Sequence, residues 1–343
     1  MDAPEQYAVG IDLGGTNLKV ALVERTRGVV RRATAPTDAG RGPHVVLDRV
    51  AETVARVLPA LPEGAPLAGV GVGAPGAVSL DRTTVRKPPN FPGWEEVHFP
   101  TQLGRRLAAL GLEASAPILV ENDANVAGLG SAYYGAGRAF DSFIMVTLGT
   151  GVGGAIVYER RIFRGATGAA GELGHISIDY EGPYARSGVA GAVEAYLGQH
   201  FLSRHARYQL LTRETELHET AGHELCDVTP LKLYTSAVAG DPEAAAVLAW
   251  AGHKLGVMLG SAINLLDIRK VVVGGGVSAA GEFVLGPARE TMRRFVMPAM
   301  REGVELVQET RGNDVALLGA ARLVFERLDD NASDDNASDD NAS

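Results

Sequence analysis

One cysteine, Cys226, occurs in 343 residues, so no disulfide can close within the chain. That usage fits a reducing compartment. Long apolar runs are also missing: none reaches the roughly 20 residues a spanning helix needs. The opening stretch MDAPEQ lacks the basic and apolar regions of a secretory signal. The expected setting is therefore the cytoplasm, with no membrane partner. A basic surplus is absent too. The formal net charge is −9, and six of those charges are aspartates in the final DDNASDDNASDDNAS, which leaves −3 for the rest. A mildly acidic body argues against nucleic acid as a partner.

What remains is 46% hydrophobic and 21% charged, the balance of a soluble globular protein. The length suits two domains. The repeated acidic unit at residues 329–343 has almost no apolar content and is expected to be disordered.

The chain opens with an apolar strand, a glycine turn and a second strand, Tyr7 to Glu24. The same plan returns in Ser142 to Glu159. A shift of 135 residues lays Leu13 on Leu148, Gly14 on Gly149 and Glu24 on Glu159, which points to two similar halves. Between and after them, strands alternate with helical patterns. Leu47, Val50, Val54, Val57 and Leu61 share one helix face, and Glu243 to Asp267 is a long helical segment. Alternation of this kind predicts α/β layers.

Three glycine loops follow apolar strands: Asp12 to Asn17, Leu148 to Gly154, and Gly274 to Ser278. Glycine lets backbone amides approach an anion, and neighbouring hydroxyls add donors. None is a Walker loop, and one loop alone is more often a tight turn. Three together favour a nucleotide. Asp12 beside Gly14 and Gly15 would repel phosphate unless Mg²⁺ bridged them; the plainer reading is an aspartate shaping its turn. Lys19 could reach a phosphate or simply be exposed. Glu121-Asn122-Asp123-Ala124-Asn125 sits between a buried strand and a helix start, where Asp123 could be catalytic or an N-cap.

IDLGGTNLKVALV, GVGAPGAV, PNFPGW, ENDANVAGLGSAYYGAG, VTLGTGVGGAIV, GAAGELGHISID, GAVEAYLG and VVVGGGVS, in that order, resemble the ROK (repressor, open reading frame, kinase) family of sugar kinases. The resemblance spans about Val9 to Ser278. It implies an α/β, actin-like (ribonuclease H-like) two-domain ATPase fold with an interdomain cleft. Residues 1–119 would form the N-terminal domain, completed by a helix at about 315–328, and residues 120–314 the larger C-terminal one. It also implies an ATP-dependent hexose kinase acting on the 6-hydroxyl of glucose, with Mg²⁺ and as a homodimer. By the same resemblance Asp123 is the general base. Gly76, Asn90, Asn122, Glu172, His175 and Glu194 contact or line the sugar site. The turn of Asp12, Gly14, Gly15, Thr16 and Asn17, with Lys19, and the turn of Thr147, Gly149, Thr150 and Gly151 are the phosphate loops. Gly274, Gly275 and Gly276 lie beside the adenosine. Phosphoryl transfer needs positioning and neutralised oxygens more than covalent chemistry, which agrees.

One departure from the family pattern is large. Ala185, Ser187 and Ala192 stand where the family carries the cysteines of a zinc loop, leaving only His175 as a ligand. No zinc is expected, and packing of Tyr184, Val189, Ala192 and Val193 is expected to hold the loop instead. Two rival readings remain. A kinase for fructose, mannose or N-acetylmannosamine shares every motif above. A sugar-responsive regulator would carry a DNA-binding domain ahead of the first hairpin, which begins near Tyr7.

Overall fold

The computed structural model describes residues 5–112 and 116–340, with side chains to residue 331. The first four residues and the last three of the acidic tail lie outside the described residues. The chain groups into two compact units. The first takes residues up to Ala139, Arg160–Ala170 and everything from Asn313 onward. The second takes Phe140–Glu159 and Gly171–Gly312.

The first unit is built on β1 (Tyr7–Leu13), β2 (Asn17–Glu24), β3 (Gly28–Pro36), β4 (Leu67–Ala74) and, after a small antiparallel sheet of β5 (Ala77–Val78), β6 (Thr84–Arg86) and β7 (Glu96–His98), β8 (Ile118–Asn122). The main sheet runs β3-β2-β1-β4-β8. β1 and β2 form an antiparallel hairpin, while β4 and β8 run parallel to β1. Alternation along β1 separates two cores. Val9, Ile11 and Leu13 face helices α1 (Pro43–Val57) and α2 (Phe99–Ala109) with Val46, Leu47, Val50 and Leu103. Ala8 joins Leu317, Ala321, Val324 and Phe325 on the opposite face.

That opposite face is covered by α10 (Asp314–Asp340), which also packs against α3 (Asp123–Tyr134). Two glycines permit the approach. A Cβ at Gly71 would collide with the Ala320 carbonyl, and one at Gly319 with the Val126 carbonyl. The first unit therefore extends to Ala139 rather than ending at residue 119, because β8 bonds to β4 and α3 packs on α10. α10 also runs beyond residue 328, into the stretch expected to be disordered. Ion pairs fasten the start of that stretch: Asp329 meets Arg25 at 2.6 Å and Arg322 at 2.7 Å, and Asp330 meets Arg161 at 2.6 Å.

The second unit repeats the plan. β9 (Phe143–Leu148) and β10 (Val152–Tyr158) form a hairpin; the short β11 (Arg161–Ile162) belongs to the first unit, and β12 (Lys270–Gly274) and β13 (Glu305–Gln308) complete the series. The order β10-β9-β12-β13 matches β2-β1-β4-β8, hairpin first and parallel strands after. The halves inferred by the 135-residue shift thus share one topology. The helices are α4 (Glu194–Leu197), α5 (Gln199–Leu210), α6 (Leu217–Thr220), α7 (Pro230–Ala239), α8 (Pro242–Leu266) and α9 (Glu282–Phe295). Against the expectation from the sequence, α8 is long and apolar enough to cross a membrane by length and composition. It is a core helix, with Leu248, Leu255, Leu259 and Ile263 fully buried against neighbours that include Val284 and Ala288 of α9.

Candidate functional site

In the first unit, the candidate residues collect at the carboxyl ends of β1, β4 and β8. Asp12 stands opposite Lys19 across the hairpin, and the ammonium reaches the carboxylate at 3.1 Å. The turn between them is tied by the Gly14 N–H to the Asn17 carbonyl (3.1 Å) and by the Thr37 hydroxyl to the Gly14 carbonyl (2.6 Å). Gly15, Thr16 and Asn17 are exposed. Asn90 lies beside this turn: a Cβ on Gly15 would sit 3.6 Å from its own.

At the β8–α3 junction the capping task falls to Asn122. Its Oδ1 accepts from the N–H groups of Ala124 (2.9 Å) and Asn125 (3.3 Å), satisfying two amides of the first turn. Asp123 follows as the first helical residue, exposed, with its Oδ1 2.8 Å from the Ala124 nitrogen. The Asn122 amide nitrogen lies 3.5 Å from the Gly76 carbonyl, so Gly76 borders the same junction.

Behind the junction Glu121 is fully buried. It pairs with Arg82 at 3.1 Å and Arg164 at 2.7 Å. Sequence reading passes over both arginines, because no local spacing connects positions 82, 121 and 164. Only the fold brings them together.

The second unit gathers its candidates around the β9–β10 hairpin tip. Gly274 pairs with Thr147 in the parallel ladder, so the Gly274–Gly276 turn stands next to the Thr147–Gly151 turn. Gly275 has φ +87°, and a Cβ there would collide with the Leu148 backbone. Glu194 at the start of α4 accepts from the Val152 N–H at 3.1 Å. Gly174 is pressed against the Val152 carbonyl, which brings the Glu172–His175 turn to the same strand. His175 Nδ1 stands 3.1 Å from the Ser187 hydroxyl, and Nε2 stands 3.7 Å from Glu172.

The loop from His175 to Glu194 is held mainly by its backbone. The Ile178 N–H donates to Gly191 (2.9 Å), Gly191 to Pro183 (2.8 Å) and Val193 to Ile176 (3.0 Å). Ala185, Ala192 and Val193 are buried, but Tyr184 is 70% exposed and Val189 is exposed as well, so those two do not pack the loop as expected. Tyr184 is joined to Ala190 by an isolated antiparallel bridge. Among the described residues no group of three His, Cys, Asp or Glu side chains could hold a metal. Trp94 is a core residue, buried against Phe91 and Phe99.

The sequence pattern of the ROK family matches residues 8–327. The chain belongs to the ROK family. A glucokinase from Thermotoga maritima is 32% identical over 327 residues, covering 95% of this chain and 99% of that protein. A ROK family glucokinase from Streptomyces griseus, solved in complex with glucose and AMPPNP, superposes with a TM-score of 0.80 at 30% identity, covering 93% of this chain and 99% of the other. A ROK hexokinase from Thermus thermophilus gives 0.75 at 30% identity over 95% of this chain and 100% of its own. The fold is the actin-like one that the ROK motifs imply.

Proposed function

We propose that this ROK protein transfers the γ-phosphoryl group of ATP to the 6-hydroxyl of glucose. One arrangement carries the reading. Asp12, Gly73 and Glu121 form a single row across three parallel strands. At a strand spacing of about 4.8 Å, this row sets Asp12 and Glu121 about 10 Å apart. The Asp12–Asn17 turn and the Asn122–Asp123 pair therefore leave the same edge of one sheet, at the strand carboxyl ends where α/β proteins keep ligands. Similarity to glucokinases along nearly the whole chain supports glucose as the sugar.

In this reading Asp123 accepts the proton of the attacking hydroxyl, a contribution of about 10²–10⁴-fold. Asn122 spends its oxygen on the helix cap and one amide hydrogen on the Gly76 carbonyl, which leaves its second amide hydrogen to donate to the sugar. Glu172 and Glu194 accept from sugar hydroxyls, and His175 completes that set. Glu172 is exposed and Glu194 half-buried; a carboxylate that the bound sugar covers but leaves unpaired is costly, so these two discriminate. The glycine turns at Gly14–Gly15, Gly149–Gly151 and Gly274–Gly276 hold the nucleotide with backbone amides.

Asp12 fits a magnesium–phosphate complex: it is a hard oxygen donor, three-quarters or more buried, beside a turn with exposed amides. Mg²⁺ when bound neutralises phosphate oxygens. Lys19 holds the Asp12 carboxylate in place from the facing strand. Family resemblance supports a cytoplasmic homodimer as part of the same proposal, checked by light scattering.

The test is ADP release with ATP, Mg²⁺ and single hexoses, for the native protein and Asp123→Asn. Glucose is expected to give the highest kcat/KM, and Asp123→Asn to lose at least about 10²-fold in kcat. Negligible turnover of glucose beside rapid turnover of fructose, mannose or N-acetylmannosamine would replace the sugar but keep the kinase.

A further inference from the structure

Glu121 is a carboxylate with no exposed surface, one residue before Asn122 and two before Asp123. Burying a charge is expensive unless donors surround it. Here both oxygens are engaged. Oε1 accepts from the backbone N–H of Asn122 at 2.9 Å and from the Asn125 amide at 3.1 Å. Oε2 accepts from Arg82 Nε at 3.1 Å and lies 2.7 Å from Arg164 Nε. The Arg164 contact is an ion pair set off the hydrogen-bonding direction, since its Nε–H makes no aligned bond.

Each arginine in turn is fixed by the chain around it. Arg164 donates through Nη1 to the Leu80 carbonyl at 2.6 Å and through Nη2 to the Ser79 carbonyl at 2.9 Å. The Arg82 carbonyl accepts from the Val120 N–H at 2.8 Å, so its backbone runs along β8 itself. The cluster thus joins three segments of the first unit: the loop after β5, the stretch after β11, and the strand that delivers Asn122 and Asp123.

Hydrophobic packing alone would not need this. A leucine at position 121 would fill the space, and buried ion pairs are often no better for stability than apolar residues of the same size. What the charge cluster adds is direction. Oε1 grips the Asn122 N–H and the Asn125 side chain, one residue before and two after Asp123. The backbone of the β8–α3 junction is thereby held from both sides.

We propose that Glu121 is a positioning residue for phosphoryl transfer: its carboxylate, clamped by Arg82 and Arg164, sets the orientation of Asn122 and Asp123 toward the sugar. The inference rests on Asp123 being the base. A misplacement of about 1 Å at a reacting group costs about 10²-fold in rate.

The test substitutes Glu121→Gln, which retains an oxygen for Asn122 but removes the charge that holds both arginines. Steady-state kinetics with glucose and ATP are measured alongside Tm, for Glu121→Gln, Asp123→Asn and the double variant. Expected is a fall in kcat of about 10–10²-fold for Glu121→Gln with the KM for ATP unchanged. In the Asp123→Asn background the same substitution should cost no further rate, because Glu121 acts through Asp123. A folded Glu121→Gln protein with kcat within twofold of native overturns the proposal, and so does an additive loss in the double variant. If Asp123→Asn itself stays within a few-fold of native, the base assignment fails instead, and the two failures are told apart. Should Glu121→Gln not fold, Arg164→Lys carries the same test. It keeps the charge but gives up the fork onto Ser79 and Leu80, and the same fall in kcat with unchanged KM for ATP is expected; a folded Arg164→Lys protein with native kcat overturns the proposal.

Discussion

The Ser187 hydroxyl stands 3.1 Å from Nδ1 of His175, at a position where the resemblance implies a thiolate. Where relatives of that pattern would link histidine and cysteine through a metal, these two side chains meet directly. The contact leaves Nε2 on the side of Glu172. Ser187→Ala removes one hydrogen bond, a loss of about 0.5–1.5 kcal/mol. The KM for glucose should rise about 2–10-fold with kcat little changed, because the proposed function gives His175 a sugar contact and no contact with the transferred phosphoryl group. An unaltered KM would remove His175 from the sugar site.

The loop around that pair is expected to need no metal. Its shape comes from the Ile178–Gly191, Gly191–Pro183 and Val193–Ile176 backbone bonds and from the Tyr196 hydroxyl to Asp179 at 3.3 Å. Chelation with EDTA should leave Tm in metal-free buffer unchanged, and elemental analysis should find no stoichiometric zinc. One tightly held zinc per chain would refute this.

Gly275 tests the proposed adenosine side of the site. Its φ of +87° disfavours any side chain, and a Cβ would run into the Leu148 backbone, which no rotamer change can relieve. Gly275→Ala should lower Tm and raise the KM for ATP about tenfold or more, by pushing β12 off the Thr147–Gly151 turn. Gly276 has nothing within 4 Å of a Cβ, so Gly276→Ala should keep the native Tm. Equal Tm for both variants would argue against the tight approach at Gly275.

His205 gives the protein a pH dependence. Its ring stacks on Trp250 at 3.6 Å with the planes 8° apart, and the Lys254 ammonium lies over the Trp250 and Tyr196 rings. Burial first, and then the Lys254 charge, hold its pKa below the ordinary value, which is about 6.5. The folded state therefore binds fewer protons than the unfolded one between the two values. Stability from this site is full above about pH 6.5 and is lost as pH falls toward the depressed folded value. Tm measured at pH 7.5 and pH 5.5 should drop less for His205→Phe than for the native protein. An identical drop would show that another group titrates there.

Much of this was legible beforehand. The hairpins at Tyr7–Glu24 and Ser142–Glu159 were readable because a buried strand leaves an apolar run and a tight turn needs glycine. Both features are local in sequence, and so are the glycine turns and the ENDAN junction. In the acidic tail, composition reports only the lack of apolar surface. It carries no information that Arg25, Arg322 and Arg161 wait nearby to pair with Asp329 and Asp330.

The sequence by itself determined the α/β alternation, the duplicated plan and the glycine turns at the strand ends. Only the tertiary structure decided which residue does which job. Asn122 rather than Asp123 became the principal cap, because β8 ends at Asn122 and α3 begins at Asp123. Ser187 became the partner of His175, and Arg82 and Arg164 closed on Glu121 from segments 39 and 43 residues away along the chain. Such pairings follow from where distant segments cross, and a buried carboxylate selects its partners by distance in space, for which position along the chain holds no code.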